Sequence, residues 1–329
     1  MHRDLEFKLP PVTRKADGTP RRVGFELEFT GLTLDQTAAT VQAALGGELS
    51  RTSASERVLR VEGLGTFNIE LDWDFLKRQS AKVEDAQEGS PEWMDLLSQA
   101  ASLVVPLEVV CPPIAIGELA RLDAMVSGLR QAGAVGTENS PLAAFGVHIN
   151  PDIPHLETAS IGAYLRAFAL LQWWLVDAHR VDLSRRISPY IDLYPEAYVR
   201  LLAERPVASR ECLFDDYLKH NATRNRAMDL LPLLAQLDAE RVRQAVADPK
   251  VKARPTFHYR LPNCQIEKAD WSLARPWNLW CVVERLAAAE DELQALGEAF
   301  LLHWRPILGL NRSAWLEYVG RWLNDRGWG

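Results

Sequence analysis

An alternating stretch near the start of the chain, Arg22 to Phe29, constrains the fold more than any other segment. Successive side chains of a β-strand point to opposite faces. One face of the predicted strand is apolar and carries Val23, Phe25, Leu27 and Phe29. Glu26 and Glu28 share the other face, roughly 6 to 7 Å apart, and repel each other when ionised unless water or a cation lies between them. The segment is therefore either a half-solvated strand or part of a divalent-cation site.

Two later segments repeat this division between an apolar and an acidic face. The predicted strand from Thr66 to Phe75 is apolar on one side. Its other side carries Asn68, Glu70, Asp72 and Asp74. The short strand from Pro106 to Pro113 is interrupted by Glu108, which needs a cation or hydrogen-bond donors in such apolar surroundings. Both segments either add carboxylates to a cation site or face solvent.

Histidine and arginine occupy the polar faces of two further predicted strands, over residues 144–151 and 256–260. These faces carry Gly146, His148 and Asn150 in the first strand and His258 and Arg260 in the second. A histidine on a strand is commonly structural. Because His148 lies beside Asn150 and just before the strand-ending Pro151, we consider it a candidate functional residue.

Helical patterns fill most of the remaining chain. Thr33 is a suitable N-cap for a helix that ends at Leu45, before Gly46 and Gly47. Further helices are predicted over 90–104, 117–132, 157–180, 195–204, 211–220, 226–237, 238–246 and 275–297, followed by more helix to the C-terminus. The pattern predicts an α+β protein. We expect an extended lead-in over 1–20 and one domain over 21–329 with a helical insertion at about 157–250, because the late strand should return to the early sheet.

Charge and composition exclude several classes of partner. A net charge of −7 gives the chain no general attraction to nucleic acid or anionic membranes. Without a signal-peptide pattern or an apolar run of membrane-spanning length, a cytoplasmic location is expected. The four cysteines contain no C-x-x-C pair and predict neither a zinc knuckle nor a disulfide framework. Tryptophans near the C-terminus belong either to the core or to an interface, so a homo-oligomer stays open.

Phosphate chemistry in this chain would depend on metal ions and arginines. Neither of the two commonest glycine-rich phosphate loops, G-x-x-x-x-G-K-[ST] and G-x-G-x-x-G, occurs. Arg224 and Arg226 lie in a locally basic part of the helical middle. Such residues are either solvated surface or phosphate ligands.

Four motifs occur in a fixed order. They are Gly24-Phe25-Glu26-Leu27-Glu28-Phe29, Leu107-Glu108-Val109-Val110-Cys111-Pro112-Pro113, Gly146-Val147-His148-Ile149-Asn150 and the late strand that ends at Arg260. Together they resemble the amidoligase family of the carboxylate-amine ligase superfamily, which is related to glutamate-cysteine ligase and glutamine synthetase. The resemblance covers roughly residues 20–285. It implies an antiparallel sheet of glutamine-synthetase type that forms a partly open barrel, whose polar face binds magnesium ions and the phosphates of ATP.

The resemblance also implies individual roles. The implied magnesium ligands are Glu26, Glu28 and Glu108, and His148 would be a metal ligand or a phosphate contact. His258 is a further candidate metal ligand from its place on the late strand. Asn150, Arg224 and Arg226 are candidate nucleotide contacts from their polar or basic surroundings. Asp72 or Asp74 would lie near the substrate amine, and Arg260 would contact phosphate or an acyl-phosphate.

One position departs from the family pattern. The related ligases carry Glu-x-Arg on the late strand, whereas this chain has His258-Tyr259-Arg260. Imidazole suits zinc, manganese or iron better than magnesium. Either His258 replaces the glutamate with a changed metal preference, or one metal position is lost, or the strand is aligned differently.

The function implied by the resemblance is an ATP- and Mg²⁺-dependent ligase, with Mn²⁺ as an alternative metal. It would join a small-molecule or peptide carboxylate to an amine through an acyl-phosphate. Two alternatives remain from the residues alone. The same Glu and His set suits a metal-dependent amide hydrolase, and a chain that has lost activity would be a ligand-binding protein of the same fold.

Overall fold

The computed structural model describes residues 6–71, 106–137, 145–182, 185 and 191–329. The strands are β1 (Arg22–Phe29), β2 (Glu48–Arg51), β3 (Glu56–Val61), β4 (Gly65–Leu71), β5 (Leu107–Val110), β6 (Ile114–Ala115), β7 (Val147–Pro151), β8 (Met228–Asp229), β9 (His258–Tyr259), β10 (Trp304–Arg305) and β11 (Gly309–Leu310). The α-helices are α1 (Leu34–Leu45), α2 (Asp123–Ala132), α3 (Thr158–Ala178), α4 (Glu196–Glu204), α5 (Arg210–Asn221), α6 (Leu231–Leu237), α7 (Ala239–Ala245), α8 (Ala274–Ala288), α9 (Glu290–His303) and α10 (Arg312–Asp325).

β1 lies inside an open antiparallel sheet with the strand order β2-β3-β4-β5-β1-β7-β9-β8, and β6 pairs with the start of β1. β9 pairs with β7 and β8, so the late strand returns to the early sheet. The smaller sheet is the hairpin β10-β11. The α+β class is confirmed, whereas a glutamine-synthetase type of sheet and the domain boundaries stay predictions.

The helices cover the apolar face of the large sheet. The β1 side chains Val23, Phe25, Leu27 and Phe29 are fully buried, as their alternation predicts. α1 packs on β3 and β4 beside α2, and it begins with the predicted cap at Thr33, where a capping box with Gln36 is complete. α3 and α8 pack together, and Phe168 of α3 contacts the ring of Tyr259 in β9. The opposite face of the sheet keeps the polar side chains.

Among the described residues, α3 is the one helix long and apolar enough to cross a membrane by length and composition. Most of its apolar window, 72%, is buried inside the protein, as in the core helix of a soluble protein. Two tryptophans of α10, Trp315 and Trp322, also belong to the core, whereas Trp304 is half-buried beneath Arg200. The cytoplasmic location stays a prediction.

Several element boundaries differ from the sequence prediction. The helix predicted from 117 starts as a 3₁₀ segment, Ile116–Leu122, before α2. The helix predicted over 226–237 is wrong at its start, because Met228 and Asp229 pair with β9 and Pro232 opens α6. The helix predicted over 275–297 is two helices that meet at Ala289. The helix predicted over 90–104 and the end of the strand predicted over 66–75 lie outside the described residues.

A buried ion pair joins the start of β1 to α8. Arg21 donates two hydrogen bonds to the Glu284 carboxylate, at 2.6 and 2.8 Å, and both side chains are almost fully buried. Trp280 Nε1 and the Tyr164 hydroxyl donate to the same carboxylate at 2.7 and 3.0 Å. Arg21 also donates to the carbonyl of Asp152 at the end of β7. One guanidinium therefore fixes β1, β7 and α8 to each other.

Replacing Glu284 with Gln should lower the free energy of unfolding by about 3 to 5 kcal/mol, because it leaves the buried Arg21 charge uncompensated. Urea unfolding followed by circular dichroism measures the change. The matched control is Glu317→Gln in the exposed pair with Arg321, which should change stability by less than about 1 kcal/mol. Equal effects of the two substitutions would contradict the role assigned to the buried pair.

Candidate functional site

The register of three strands brings the predicted polar residues together. Glu26 of β1 lies opposite His148 of β7, and Glu28 of β1 lies opposite Glu108 of β5. Because side chains directly opposite each other in an antiparallel pair point the same way, these four residues share the polar face of the sheet. The structure therefore brings together residues that are distant in the chain, such as Glu26 and His148, which are 122 positions apart.

A row of carboxylates crosses three strands at this point. Glu70 of β4 lies opposite Glu108 of β5, which in turn lies opposite Glu28 of β1. Glu70 was placed on the acidic face of its strand by the sequence pattern but was not singled out as a site residue. Its alternation was visible, but the register that brings it to Glu108 is set by tertiary pairing. Negative charge is concentrated along this row.

Glu26 is held by hydrogen bonds from its neighbours in β7. His148 Nδ1 lies 2.9 Å from Glu26 Oε2, and Asn150 Nδ2 donates to Glu26 Oε1 at 2.8 Å. Burial alone would raise the pKa of the Glu26 carboxyl. The hydrogen bond with His148 and the charge of Arg260 outweigh that effect and hold the pKa of the Glu26 carboxyl well below its usual value. Glu26 is thus an anion at neutral pH.

His258 completes a first group of potential metal ligands. Its Nε2 lies 4.0 Å from Glu26 Oε2, and its ring centroid lies 5.1 Å from that of His148. One ligand atom each from Glu26, His148 and His258 lie within 4.8 Å of one another. Burial, together with the nearby charge of Arg260, lowers the pKa of His258 well below its usual value. The imidazole is therefore neutral and able to bind a cation.

Two buried polar atoms in this group lack a hydrogen-bond partner among the described residues. They are His258 Nε2 and Asn150 Oδ1. Leaving such atoms unpaired costs about 1 to 3 kcal/mol each. Both atoms are metal-ligand types, so the residues present fit a bound cation at this position.

A second group of potential ligands surrounds Glu28. Its Oε2 accepts a hydrogen bond from the backbone N–H of Gly146 at 2.8 Å, and its Oε1 lies 3.8 Å from His148 Nε2. One ligand atom each from Glu28, Glu108 and His148 also lie within 4.8 Å of one another. The two groups share His148 and lie side by side on the polar face.

Positive charge gathers at the β8-β9 edge of the same face. Asp229 of β8 lies opposite His258 of β9 and is almost fully buried. Burial raises the pKa of the Asp229 carboxyl to about 6, although the charges of Arg260, Arg224 and Arg254 act in the opposite direction. Neither Asp229 nor Arg254 was a site candidate from sequence, because the pattern around Asp229 was assigned to a helix.

Arg185 is a further residue of the site that sequence analysis left unassigned beyond noting its basic surroundings. Its guanidinium donates to the backbone carbonyl of Arg260 at 2.7 Å and to those of Leu261 and Pro262. It lies so close to Gly146 that a Cβ atom there would meet Arg185 Nη2 at 2.6 Å. Arg185 thereby anchors the chain after β9 beside Glu28, whose charge acts on it.

The remaining predicted residues take different positions. Arg224 forms an ion pair with Asp248 at 3.5 Å and acts electrostatically on Asp229. Arg226 donates to the backbone carbonyls of Leu193 and His220, so its guanidinium holds the helical middle together. Asp72 and Asp74 lie outside the described residues, and their proposed place near an amine stays a prediction.

The fold and the site define a class of protein in which an open antiparallel sheet presents two adjoining groups of potential Glu and His ligands beside Arg185 and Arg260. A sequence model of the family described as "putative amidoligase enzyme" matches residues 19–282, which is most of the chain. The chain belongs to this amidoligase family. The family indicates an enzyme that forms amide bonds, a ligase. No curated protein matches the sequence significantly.

Asp229→Asn should stabilise the protein at pH 7.5 by roughly 2 to 3 kcal/mol and change little at pH 4. The folded-state pKa of about 6 lies above the ordinary value of 3.8, so the native state holds the proton more tightly. The protonated Asp229 carboxyl therefore contributes stability that is fully present below pH 3.8 and is lost as pH rises through about 6.

Urea unfolding of both proteins between pH 4 and pH 8 measures this difference. Asp270→Asn, at an exposed position, is the control and should show no such pH dependence. If the difference in the free energy of unfolding between Asp229→Asn and the native protein grew as pH fell, the raised pKa assigned to Asp229 would be wrong.

Proposed function

We propose that this protein is an ATP- and Mg²⁺-dependent carboxylate-amine ligase that forms an amide bond through an acyl-phosphate. The observation that carries the proposal is the pair of adjoining ligand groups around His148 in a member of the amidoligase family. The substrates would be a small-molecule or peptide carboxylate and an amine. Neither nucleic acid nor a membrane is part of the proposal.

The carboxylates of the polar face supply oxygen ligands of the type that magnesium ions bind. Mg²⁺ prefers oxygen ligands and usually contacts one or two protein carboxylates together with phosphate oxygens. Glu28 and Glu108 match that preference, and the neighbouring Glu70 adds negative charge to the same row. When bound, Mg²⁺ would neutralise the charge of the nucleotide phosphates and of the transferred phosphoryl group.

Arg260 would bind the transferred phosphoryl group. It belongs to the polar face next to His258, and its charge acts on Glu26, Glu28 and Asp229. A half-buried guanidinium stabilises developing negative charge more strongly than one fully exposed to water. Arg224 is a second phosphate contact in the proposal, while Asn150 would help to hold the nucleotide beside Glu26.

The proposed reaction has two steps. An oxygen of the substrate carboxylate attacks the terminal phosphorus of ATP, the bond to the leaving ADP breaks, and an acyl-phosphate forms. The amine then attacks the acyl carbon, phosphate leaves, and the amine loses a proton. Asp72 or Asp74, which the resemblance places near the substrate amine, would accept that proton in the proposal.

Thermal unfolding with Mg²⁺, ATP or both tests the nucleotide and metal requirement. Both ligands together should raise the melting temperature, since a ligand at 100 times its Kd stabilises the native state by about 2.7 kcal/mol. Glu28→Gln should lose most of this shift because it removes a charged ligand atom. Glu48→Gln on the exposed edge strand β2 is the control and should keep the shift.

The same purified protein separates the competing functions. Phosphate release that requires both a carboxylate and an amine, and that falls on the order of 100-fold in Arg260→Ala, would support the ligase. Amide hydrolysis with metal but without nucleotide would instead identify a metal-dependent hydrolase. Ligand binding without turnover would identify a catalytically inactive relative, and no shift with any metal and ATP would overturn the proposal.

A further inference from the structure

We propose that Glu26, His148 and His258 form a binding site for a divalent transition-metal ion, separate from the magnesium position at Glu28 and Glu108. The magnesium position rests on the proposed function. The inference refines that function by naming a second class of metal. The transition-metal site itself depends only on residues of three adjoining strands, β1, β7 and β9.

The geometry of the three side chains suits one ion. Glu26 Oε2 lies 2.9 Å from His148 Nδ1 and 4.0 Å from His258 Nε2. Ligand atoms bound to one ion at about 2.0 to 2.2 Å are separated by roughly 3 to 4 Å, so only small rotations are required. All three residues lie on short neighbouring strands whose backbones are fixed by antiparallel pairing. The site is therefore largely preformed.

The ligand chemistry decides which class of ion fits. Two imidazoles with one carboxylate are the set typical of transition metals, whereas Mg²⁺ and Ca²⁺ prefer oxygen alone. His258 is buried, and its Nε2 has no hydrogen-bond partner among the described residues. A buried nitrogen in this state gains most from a metal that accepts nitrogen ligands.

His148 lies between the two proposed metal positions and contacts residues of both. Its Nδ1 points to Glu26, and its Nε2 lies 3.8 Å from Glu28 Oε1. When Nδ1 binds the ion, the ring proton lies on Nε2, and a small rotation of the ring would bring it within hydrogen-bond distance of Glu28. A metal-bound histidine that donates its other N–H to a carboxylate is the usual arrangement in proteins. Glu28 would orient the histidine of one position and bind the ion of the other.

The test begins with protein freed of metal by chelation and titrated with Co²⁺ alone or Mg²⁺ alone, in the absence of ATP. Visible absorption reports Co²⁺ bound to nitrogen ligands, and calorimetry gives both affinities. We expect Co²⁺ to bind at least about tenfold more tightly than Mg²⁺. Equal affinities for the two ions would overturn the inference.

Variants of the two positions should respond in opposite ways. His258→Gln should weaken Co²⁺ binding at least about tenfold, because it removes a direct ligand. Glu108→Gln should leave Co²⁺ binding unchanged, since Glu108 belongs only to the second group. Unchanged Co²⁺ affinity in His258→Gln, or a loss in Glu108→Gln alone, would show that the ion occupies the oxygen-rich position instead.

A matched control separates metal binding from folding. His179 is also a buried, neutral histidine next to β9, where its Nε2 lies 2.5 Å from the Tyr259 hydroxyl. Since Tyr259 contacts the apolar side of the sheet, His179→Gln should keep the Co²⁺ affinity even where it lowers the melting temperature.

Pulsed electron paramagnetic resonance of Mn²⁺ bound to the native protein needs no variant. Coupling to two nitrogen nuclei would support the site, and the absence of nitrogen coupling would overturn it. None of these readouts uses nucleotide or turnover. Binding of Co²⁺ through His258 without a melting-temperature shift in Mg²⁺ and ATP would support this inference and contradict the ligase. A melting-temperature shift with Mg²⁺ and ATP but no binding of Co²⁺ through His258 would contradict this inference and support the ligase.

Discussion

Repulsion between carboxylates on adjoining strands is the constraint on which the site depends. The sheet register places Glu26 and Glu28 beside Glu108, with Glu70 next in the row. Such a concentration of half-buried charge is stable only where donors, cations or water offset it. The backbone N–H of Gly146 and the side chains of β7 supply donors to Glu28 and Glu26, while His258 Nε2 and Asn150 Oδ1 have no hydrogen-bond partner among the described residues. The polar face thus combines fixed donors with atoms of the type that bind cations.

Charge changes sign across this face, from β4 to β8. Carboxylates occupy β4, β5 and β1, imidazoles occupy β7 and β9, and Arg260 lies where β9 meets β8. Asp229 moderates the positive end without cancelling it. Such a gradient would suit the proposed nucleotide with its metal ions. The metal ions would lie near the carboxylates of β4, β5 and β1, and the phosphates would lie near Arg260. The gradient supports the proposed phosphate-dependent reaction in a sequence that has neither of the two commonest glycine-rich phosphate loops.

Local patterns predicted much of this architecture and the core of the site. The alternation in β1 and the cap at Thr33 depend on neighbouring residues, so the sequence shows them directly. Glu108 could be singled out because an isolated carboxylate in an apolar strand needs a partner. Asp229, Arg185 and the pairing of Glu70 could not, since each depends on contacts between distant segments. The two-residue strand β8 forms only because β9 pairs with it, and its own sequence favours helix.

The ion pair between Arg21 and Glu284 has a consequence for synthesis of the chain. Glu284 follows Arg21 by 263 positions, so it leaves the ribosome long after the strand whose start it secures. Until then Arg21 lacks the carboxylate that its guanidinium contacts directly, so the start of β1 cannot form its buried contact with α8. The start of the large sheet and α8 therefore reach their final packing late in the synthesis of the chain.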